Sequence, residues 1–192
     1  MAATLEREIK LQFDSAEVAR AAVLAAGATP VHARRLQEDC LLDTADDLLR
    51  RRRSVLRVRM ESGKSFLTFK GPVQPTIVKL RQELETIIGD GPLLVRILEE
   101  LGFRVWFRYE KYREEFALDN VIVAVDETPV GVFVEIEGGD LGIAETAQAL
   151  GRGPADYLLD SYRGLFVRHC EQRGVAPTDM LFDVHRAGLG TV

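Results

Sequence analysis

Between Leu5 and Phe13 apolar and polar residues alternate. Leu5, Arg7, Ile9, Leu11 and Phe13 share one face of an extended chain, and Glu6, Glu8, Lys10 and Gln12 share the other. A period of two is that of a strand with one face on an apolar core. Strand-like runs recur at 40–43, 55–60, 66–70, 77–88, 104–118, 121–127 and 131–137. Ser62-Gly63, Gly71-Pro72, Asp119-Asn120 and Pro129 supply turns between several of them. Helical signals are fewer. Asp14 and Glu17 form a candidate capping box ahead of an alanine-rich helix that stops at Gly27. Pro92 suits the first turn of a helix with the stripe Leu93, Leu94, Ile97, Leu98 and Leu101, ended by Gly102. Two more helices are expected, over 143–150 and from about 155 to 173. Many strands, few helices and short links predict an α+β fold on an antiparallel sheet or barrel.

The polar faces of these strands have an unusual content. Glu6, Glu8 and Lys10 sit two apart, as do Arg57 and Arg59, Thr68 and Lys70, Lys79 with Arg81, Glu83 and Glu85, Lys111 and Arg113, and Glu135 and Glu137. One such strand reads as a solvated face. Across six strands, positions that would normally mix Ser, Thr and Gln are nearly all Arg, Lys or Glu. If the sheet curls so that these faces meet, the lumen is ionic and the apolar faces pack outward against helices. Inward charges then need partners. Carboxylate pairs suit Mg²⁺ or Mn²⁺, and clustered Arg and Lys suit phosphate oxygens.

Composition sharpens this picture. The chain has 192 residues, 46 % of them hydrophobic, with 25 Lys plus Arg against 30 Asp plus Glu and a net charge of −5. That is enough apolar material for a core, and it argues against disorder and against a broad nucleic-acid surface. Cys40 and Cys170 form no CxxC pair, which fits a reducing compartment. The first residues lack a signal-peptide pattern, and no run approaches ~18 apolar residues. The expectation is a cytoplasmic protein of one domain over 1–192, with a tail from 174 ordered in part through Met180, Leu181 and Phe182.

Glu6-x-Glu8-x-Lys10 resembles the signature of the CYTH superfamily, the triphosphate tunnel metalloenzymes. The resemblance continues in order through Asp39-Cys40-Leu41-Leu42-Asp43, Leu56-Arg57-Val58-Arg59, Leu67-Thr68-Phe69-Lys70-Gly71-Pro72 and Arg81-Gln82-Glu83-Leu84-Glu85. Lys111-Tyr112-Arg113, Asp126, the run Gly131 to Glu137 and Ser161-Tyr162-Arg163 complete it, over about 5–166. Cys40 stands where the family carries an aromatic residue. The resemblance implies an eight-stranded antiparallel barrel with flanking helices, whose tunnel holds a triphosphate and a divalent metal, Mg²⁺ or Mn²⁺. Carried over, Glu6, Glu8, Glu135 and Glu137 are metal ligands, and Lys10, Arg57, Arg59, Lys70, Arg81 and Arg113 bind phosphate oxygens. Glu83, Glu85, Lys111 and Asp126, with Lys10, stand at further motif positions with catalytic assignments. Their jobs divide among a second metal, water positioning and orientation of the basic groups.

The family implies a choice of reactions. Hydrolysis of inorganic tripolyphosphate or a nucleoside triphosphate is the first reading. The alternative is a class IV adenylyl cyclase that converts ATP to cyclic AMP and pyrophosphate, a branch that the Gly131–Glu137 and Ser161–Arg163 runs resemble. A non-catalytic polyphosphate or nucleotide sensor is a third, against which both Glu-x-Glu pairs weigh. No lysine follows Lys111, so the C-terminal tunnel lysine of thiamine triphosphatases is missing. The partner expected is a small triphosphate (tripolyphosphate, ATP or another organic triphosphate), with no nucleic acid, no membrane and a homodimer left open. Charge removal at Glu135, Glu137, Arg57 or Arg59 is expected to abolish turnover with little loss of stability. Other signals are weaker. Gly63-Lys64-Ser65 lacks the earlier glycine of a P-loop, Arg50 to Arg53 reads as a solvated loop beside the tunnel mouth, and His32, His169 and His185 have no metal-ligand spacing. Trp106, Phe107 and Tyr109 are assigned to packing ahead of base stacking.

Overall fold

In the computed structural model, which describes residues 4–183, eight strands close into a barrel. They are β1 (Thr4–Phe13), β2 (Thr29–Thr44), β3 (Val55–Glu61), β4 (Lys64–Lys70), β5 (Lys79–Ile88), β6 (Phe103–Leu118), β7 (Val121–Thr128) and β8 (Gly131–Glu137). Their order around the barrel is β1-β5-β4-β3-β2-β6-β7-β8, and every neighbouring pair is antiparallel. Chain-adjacent strands pair through hairpins where turns permit. β1 closes the ring by pairing with both β5 and β8, so that Glu6 faces Arg81 and Lys10 faces Glu135 in register.

Alternation along the strands sorts the side chains as the sequence predicts. Ile9, Leu11 and Phe13 of β1 point outward into a core shared with Val123, Val134 and Ile136. That core is covered by Ala19 and Val23 of α1 (Ala16–Ala25) and by Ile143 and Ala147 of α4 (Asp140–Ala149). On another side α3 (Gly91–Glu100) lays Leu94, Val95 and Leu98 against Leu42, Val58 and Leu67. At one barrel end α5 (Tyr162–Gln172) packs Tyr162, Phe166 and Cys170 on Leu41, Phe107, Tyr109 and Phe133. Burial of apolar side chains such as Ile9, Leu11, Val123 and Ile136, all at 0 % exposure, contributes roughly 1.5–3 kcal/mol each. Among the described residues no helix is long and apolar enough to cross a membrane.

Several boundaries differ from the sequence expectation, each for a physical reason. The first helix is capped by Ser15, whose Oγ accepts from the Val18 amide at 3.3 Å, and not by an Asp14–Glu17 box. The strand expected at 40–43 runs from Thr29 to Thr44, because β6 is equally long and pairs with it along its length. The helix expected from 155 begins only at Tyr162. Before it, Pro154–Asp156 forms a single 3-10 turn. Leu158 then exchanges two backbone hydrogen bonds with Lys10, at 3.1 and 2.9 Å, which holds the chain extended there. Met180 is buried and bonds the backbone of Arg108 and Glu110. The rest of the expected tail, from 184, lies outside the described residues.

A short helix, α2 (Leu48–Arg51), has no sequence expectation and depends on one buried acid. Asp43 is fully buried, and its carboxylate accepts from the amides of Thr44 (2.8 Å), Leu49 (2.8 Å) and Arg50 (2.9 Å). Burial pulls its pKa upward, but those three donors and Arg50 hold it below the usual carboxylate range. The turn that delivers Arg50 to Arg53 therefore hangs on Asp43. Asp43→Ala, which orphans three amides, is expected to lower stability by about 2 kcal/mol, and Asp43→Asn to recover part of it. A thermal melt of Asp43→Ala coincident with wild type would show that water replaces the carboxylate at no cost.

Candidate active site

The inward face of the barrel encloses a cavity of about 710 Å³. The seams that β1 makes with its two neighbours carry its first ion pairs. Glu6 accepts from Lys70 Nζ at 2.6 Å and Arg81 Nε at 2.9 Å. Glu8 accepts from Lys10 Nζ at 2.9 Å and from Lys79. Lys10, 2 % exposed, also lies 3.0 Å from Glu135. Burial opposes the charge on Lys10, yet Glu135 and Glu8 raise its pKa above the ordinary lysine value. The same lysines, Lys10 first, hold Glu8 well below the carboxylate range against its own desolvation.

Two further buried acids anchor the arginines. Asp39 takes both Arg59 Nε (2.9 Å) and Nη2 (3.1 Å), with Arg57 Nε at 3.5 Å. Arg57 also reaches Thr68 Oγ1 at 3.1 Å and Glu85 Oε2 at 3.4 Å. Asp126 is fully buried and accepts from Lys111 Nζ (2.7 Å), Arg113 Nε (2.7 Å) and Tyr162 Oη (2.5 Å). Arg113 in turn pairs with Glu135. Glu83 meets Lys70 at 3.1 Å, and burial together with Glu6 raises its carboxyl.

Charge is not balanced everywhere. Lys79 is pushed down to about 8 by burial and by Lys10, and Lys111 to about 8 by burial and by Arg113. Glu137 lies at the other extreme. Its side chain stands at an open end of the cavity, has no ion-pair partner among the described residues, and faces Glu6, Glu8 and Glu83. Desolvation and those carboxylates push its carboxyl up to about 7.

The structure brings together Glu6, Glu8, Lys10, Arg57, Arg59, Lys70, Arg81, Glu83, Glu85, Lys111, Arg113, Glu135 and Glu137 on the wall of this one cavity. Asp126 is set behind Lys111 and Arg113 and orients them. The expectation that Arg57, Arg59 and Glu135 can lose their charge at little cost in stability changes here, because each is paired to a buried group. Glu137 alone of that set keeps the expectation. Site residues that sequence reasoning left out are Lys79, Asp39, Thr68, Tyr109 and Tyr162. The strand alternation already pointed to Lys79 and Thr68, whereas Tyr162 comes from a helix and leaves no period to read. Among the described residues no three acidic, His or Cys side chains converge in metal-binding geometry. The carboxylates turn instead to the lysines and arginines.

Known proteins share this architecture. A Pyrococcus horikoshii protein of known structure superposes with a TM-score of 0.72 at 25 % identity, over 83 % of this chain and 98 % of its own. A Hippeastrum protein, described as a "putative adenylyl cyclase" with a dominant triphosphatase activity, superposes at 0.62 with 18 % identity, over 90 % of this chain and 97 % of its own. In sequence, a Methanocaldococcus jannaschii protein named "putative adenylate cyclase" is 31 % identical over 118 residues, 61 % of this chain and 67 % of that one. The model of the CYTH domain matches residues 4–150, the stretch that holds all eight strands and their ionic lumen, and the chain belongs to the CYTH family.

Proposed function

We propose that the protein hydrolyses a small triphosphate, inorganic tripolyphosphate or a nucleoside triphosphate, inside the barrel with Mg²⁺ or Mn²⁺ bound. The observation that supports this most is the set of cations Lys10, Arg57, Arg59, Lys70, Arg81 and Lys111, all buried around one cavity. Buried cations require anionic partners, and guanidinium forks match phosphate oxygens two at a time. The resident carboxylates hold these cations in place before substrate arrives. Phosphate oxygens then replace carboxylate oxygens at Lys70, Arg57, Arg81 and Arg113, and the same cations oppose charge that builds up during phosphoryl transfer.

The donor chemistry also fits a hard cation. Glu137 lacks a cationic partner while facing other carboxylates, and carboxylate oxygens are the usual ligands of Mg²⁺ and Mn²⁺. Glu6, Glu8, Glu135 and Glu137 would hold the ion, which when bound neutralises phosphate oxygens. Lys10, between Glu8 and Glu135, keeps those two acids apart from each other and presents its ammonium to the substrate. Asp126 fixes Lys111 and Arg113 in direction. Glu83, its carboxyl raised by burial and by Glu6, and Glu85 are assigned to orient the attacking water. With Cys40 and Cys170 both free, we place the activity in the cytoplasm.

Cyclisation of ATP is the second reading, and the name of the Methanocaldococcus jannaschii relative favours it. The tunnel mouth favours hydrolysis. Trp106, an aromatic ring that lines this cavity, carries the Arg50 guanidinium 4.6 Å and that of Arg163 5.9 Å from its centre, so both of these cations compete with a base for it. In the Hippeastrum protein a cyclase name and a dominant triphosphatase activity go together. A pure sensor has no need of both Glu-x-Glu pairs.

Incubation with Mg²⁺ or Mn²⁺ and tripolyphosphate, ATP or thiamine triphosphate, with products separated, is expected to give orthophosphate as the main product. Cyclic AMP as the main product from ATP would overturn hydrolysis in favour of the second reading. Glu137→Gln is expected to lower kcat by about 100-fold while raising the melting temperature at pH 8. The folded carboxyl titrates near 7 against an ordinary value of 4.5. Stability from this group is thus full below 4.5 and lost as pH rises through 7, so the gain should shrink on acidification. A lower melting temperature at pH 8 would mean that a cation holds Glu137. Arg59→Gln, by contrast, strands the fully buried Asp39 and is expected to cost about 3–5 kcal/mol, visible as a drop in the denaturant midpoint. An unchanged midpoint would show Asp39 protonated in the variant.

A further inference from the structure

The end of the cavity beneath α5 is built differently from the lumen. β3 begins and β4 ends there, opposite the β3–β4 hairpin, and its lining comes from α2 and the turn after it (Arg50, Arg53, Ser54), from β6 (Trp106) and from the start of α5 (Ser161, Arg163). In the lumen nearly every cation faces a carboxylate. Here two do not. Among the described residues neither Arg53 nor Arg163 has a carboxylate within ion-pair distance, whereas Arg50 is tied to Asp47 and lies 3.5 Å from Asp43.

Arg163 is the more telling of the two. Its guanidinium carbon lies over two aromatic rings, 4.8 Å from the centre of Phe107 and 5.9 Å from that of Trp106. Its Nη1 is shut off from solvent and bonded to nothing. A desolvated, unbonded guanidinium nitrogen is costly unless an acceptor arrives. Burial is the main cause that lowers the Arg163 pKa, with Arg50 adding to it against Cys170 and Asp179, so this guanidinium is held where its charge is poorly solvated. Arg53 is held in the left-handed region with φ 55 on the turn that Asp43 supports, and its exposed side chain lies on the same wall. The opposite end of the cavity is acidic, with Glu85, Glu115 and Glu137. A phosphate chain lying along such a gradient has its metal-associated end at the acids and its other end at Arg53 and Arg163.

We propose that Arg53 and Arg163 form an anion subsite at the tunnel mouth that receives a phosphoryl group beyond the three held in the lumen, so that the protein selects phosphate chains of four or more. This rests on the reading of the lumen as a triphosphate site and names the substrate class that the whole cavity fits. The shared chemistry is a fourth phosphoryl group, carried by an inorganic chain or by a nucleoside tetraphosphate. A nucleobase fits this end less well, since guanidinium groups already cover Trp106.

The test is calorimetric binding to the full chain in EDTA, so that nothing is turned over, with linear tripolyphosphate, linear tetraphosphate and adenosine 5′-tetraphosphate. Wild type is expected to bind linear tetraphosphate about tenfold more tightly than tripolyphosphate, the size of one charge-assisted contact. Arg163→Gln is expected to remove that gain and leave tripolyphosphate affinity unchanged. Arg53→Asn, which tolerates the left-handed backbone and touches no core, is a second variant that should halve the gain or better without any effect on folding. A gain for both tetraphosphates assigns the subsite to the fourth phosphoryl group whatever it carries, and a gain for the inorganic chain alone assigns it to free chain ends. Equal affinity of wild type for three and four phosphates, or a gain that survives both substitutions, would overturn the subsite while the triphosphate reading stands. Failure of tripolyphosphate itself to bind, both in EDTA and to a Glu137→Gln variant in Mg²⁺, would overturn the lumen reading, and the subsite with it.

Discussion

Buried charge must be matched, and the whole barrel is arranged around that requirement. β1 is the clearest case. It closes the ring, and both of its seams are made inside by ion pairs: Glu6 with Arg81 and Lys70 toward β5, and Lys10 with Glu135 toward β8. A register slip of one residue would turn Glu6, Glu8 and Lys10 outward into the apolar layer of Val123 and Ile136, and turn Ile9 and Leu11 into the lumen. Both errors are severe, so the charges specify the register even where they add little net stability. Buried ion pairs seldom exceed an apolar replacement in stability. The stabilising burial is on the outside, under α1, α3, α4 and α5.

Matching is close without being complete, and the departures are where the chemistry lies. Lys79 and Lys111, both at about 8, mark places where burial and a neighbouring cation weigh against a lysine's charge. Glu137, at about 7, marks a place where acids exceed cations. An anion relieves the first imbalance and a cation the second. The lumen is thus poised for both at once, which an evenly neutralised ion network would not be. Asp39 and Asp126 have a different role. Fully enclosed and multiply bonded, they fix the direction of Arg59, Lys111 and Arg113 without reaching the cavity space themselves.

Most of the barrel was legible because its information is periodic. A strand that separates an ionic lumen from an apolar coat must alternate, and Glu6 to Lys10, Arg57 to Arg59 and Lys79 to Glu85 do so visibly. What stayed hidden is non-periodic. The extended stretch at 157–160 follows from backbone pairing between Leu158 and Lys10, residues remote in sequence, which overrides a locally plausible helix. The α2 turn is set by one acid, Asp43, gathering three amides up to seven residues ahead. Tyr162 reaches Asp126 from a helix across the end of the barrel. The candidate metal ligands were legible as residue types, but not the lysine and arginine partners to which Glu6, Glu8 and Glu135 turn. That depends on which strands become neighbours, and β1–β5 adjacency is not local in the chain.

This division also locates specificity. The lumen is built by strands whose register the fold cannot alter, so its charged residues from Glu6 to Glu137 keep fixed places around the cavity. The mouth is built by a turn and by the first residues of a helix, elements that lie outside the strand register. Reaction class and substrate length can then be set separately. On the proposed reading, cations in the lumen would engage any triphosphate, inorganic or esterified, through the same oxygens, and would not distinguish a terminal phosphoryl group from one joined to a further unit. Only groups beyond the third phosphate can do that. In this chain the groups proposed for that task are Arg53 and Arg163, without carboxylate partners among the described residues, beside a tryptophan already covered by guanidinium, which is a surface for charge and not for a base.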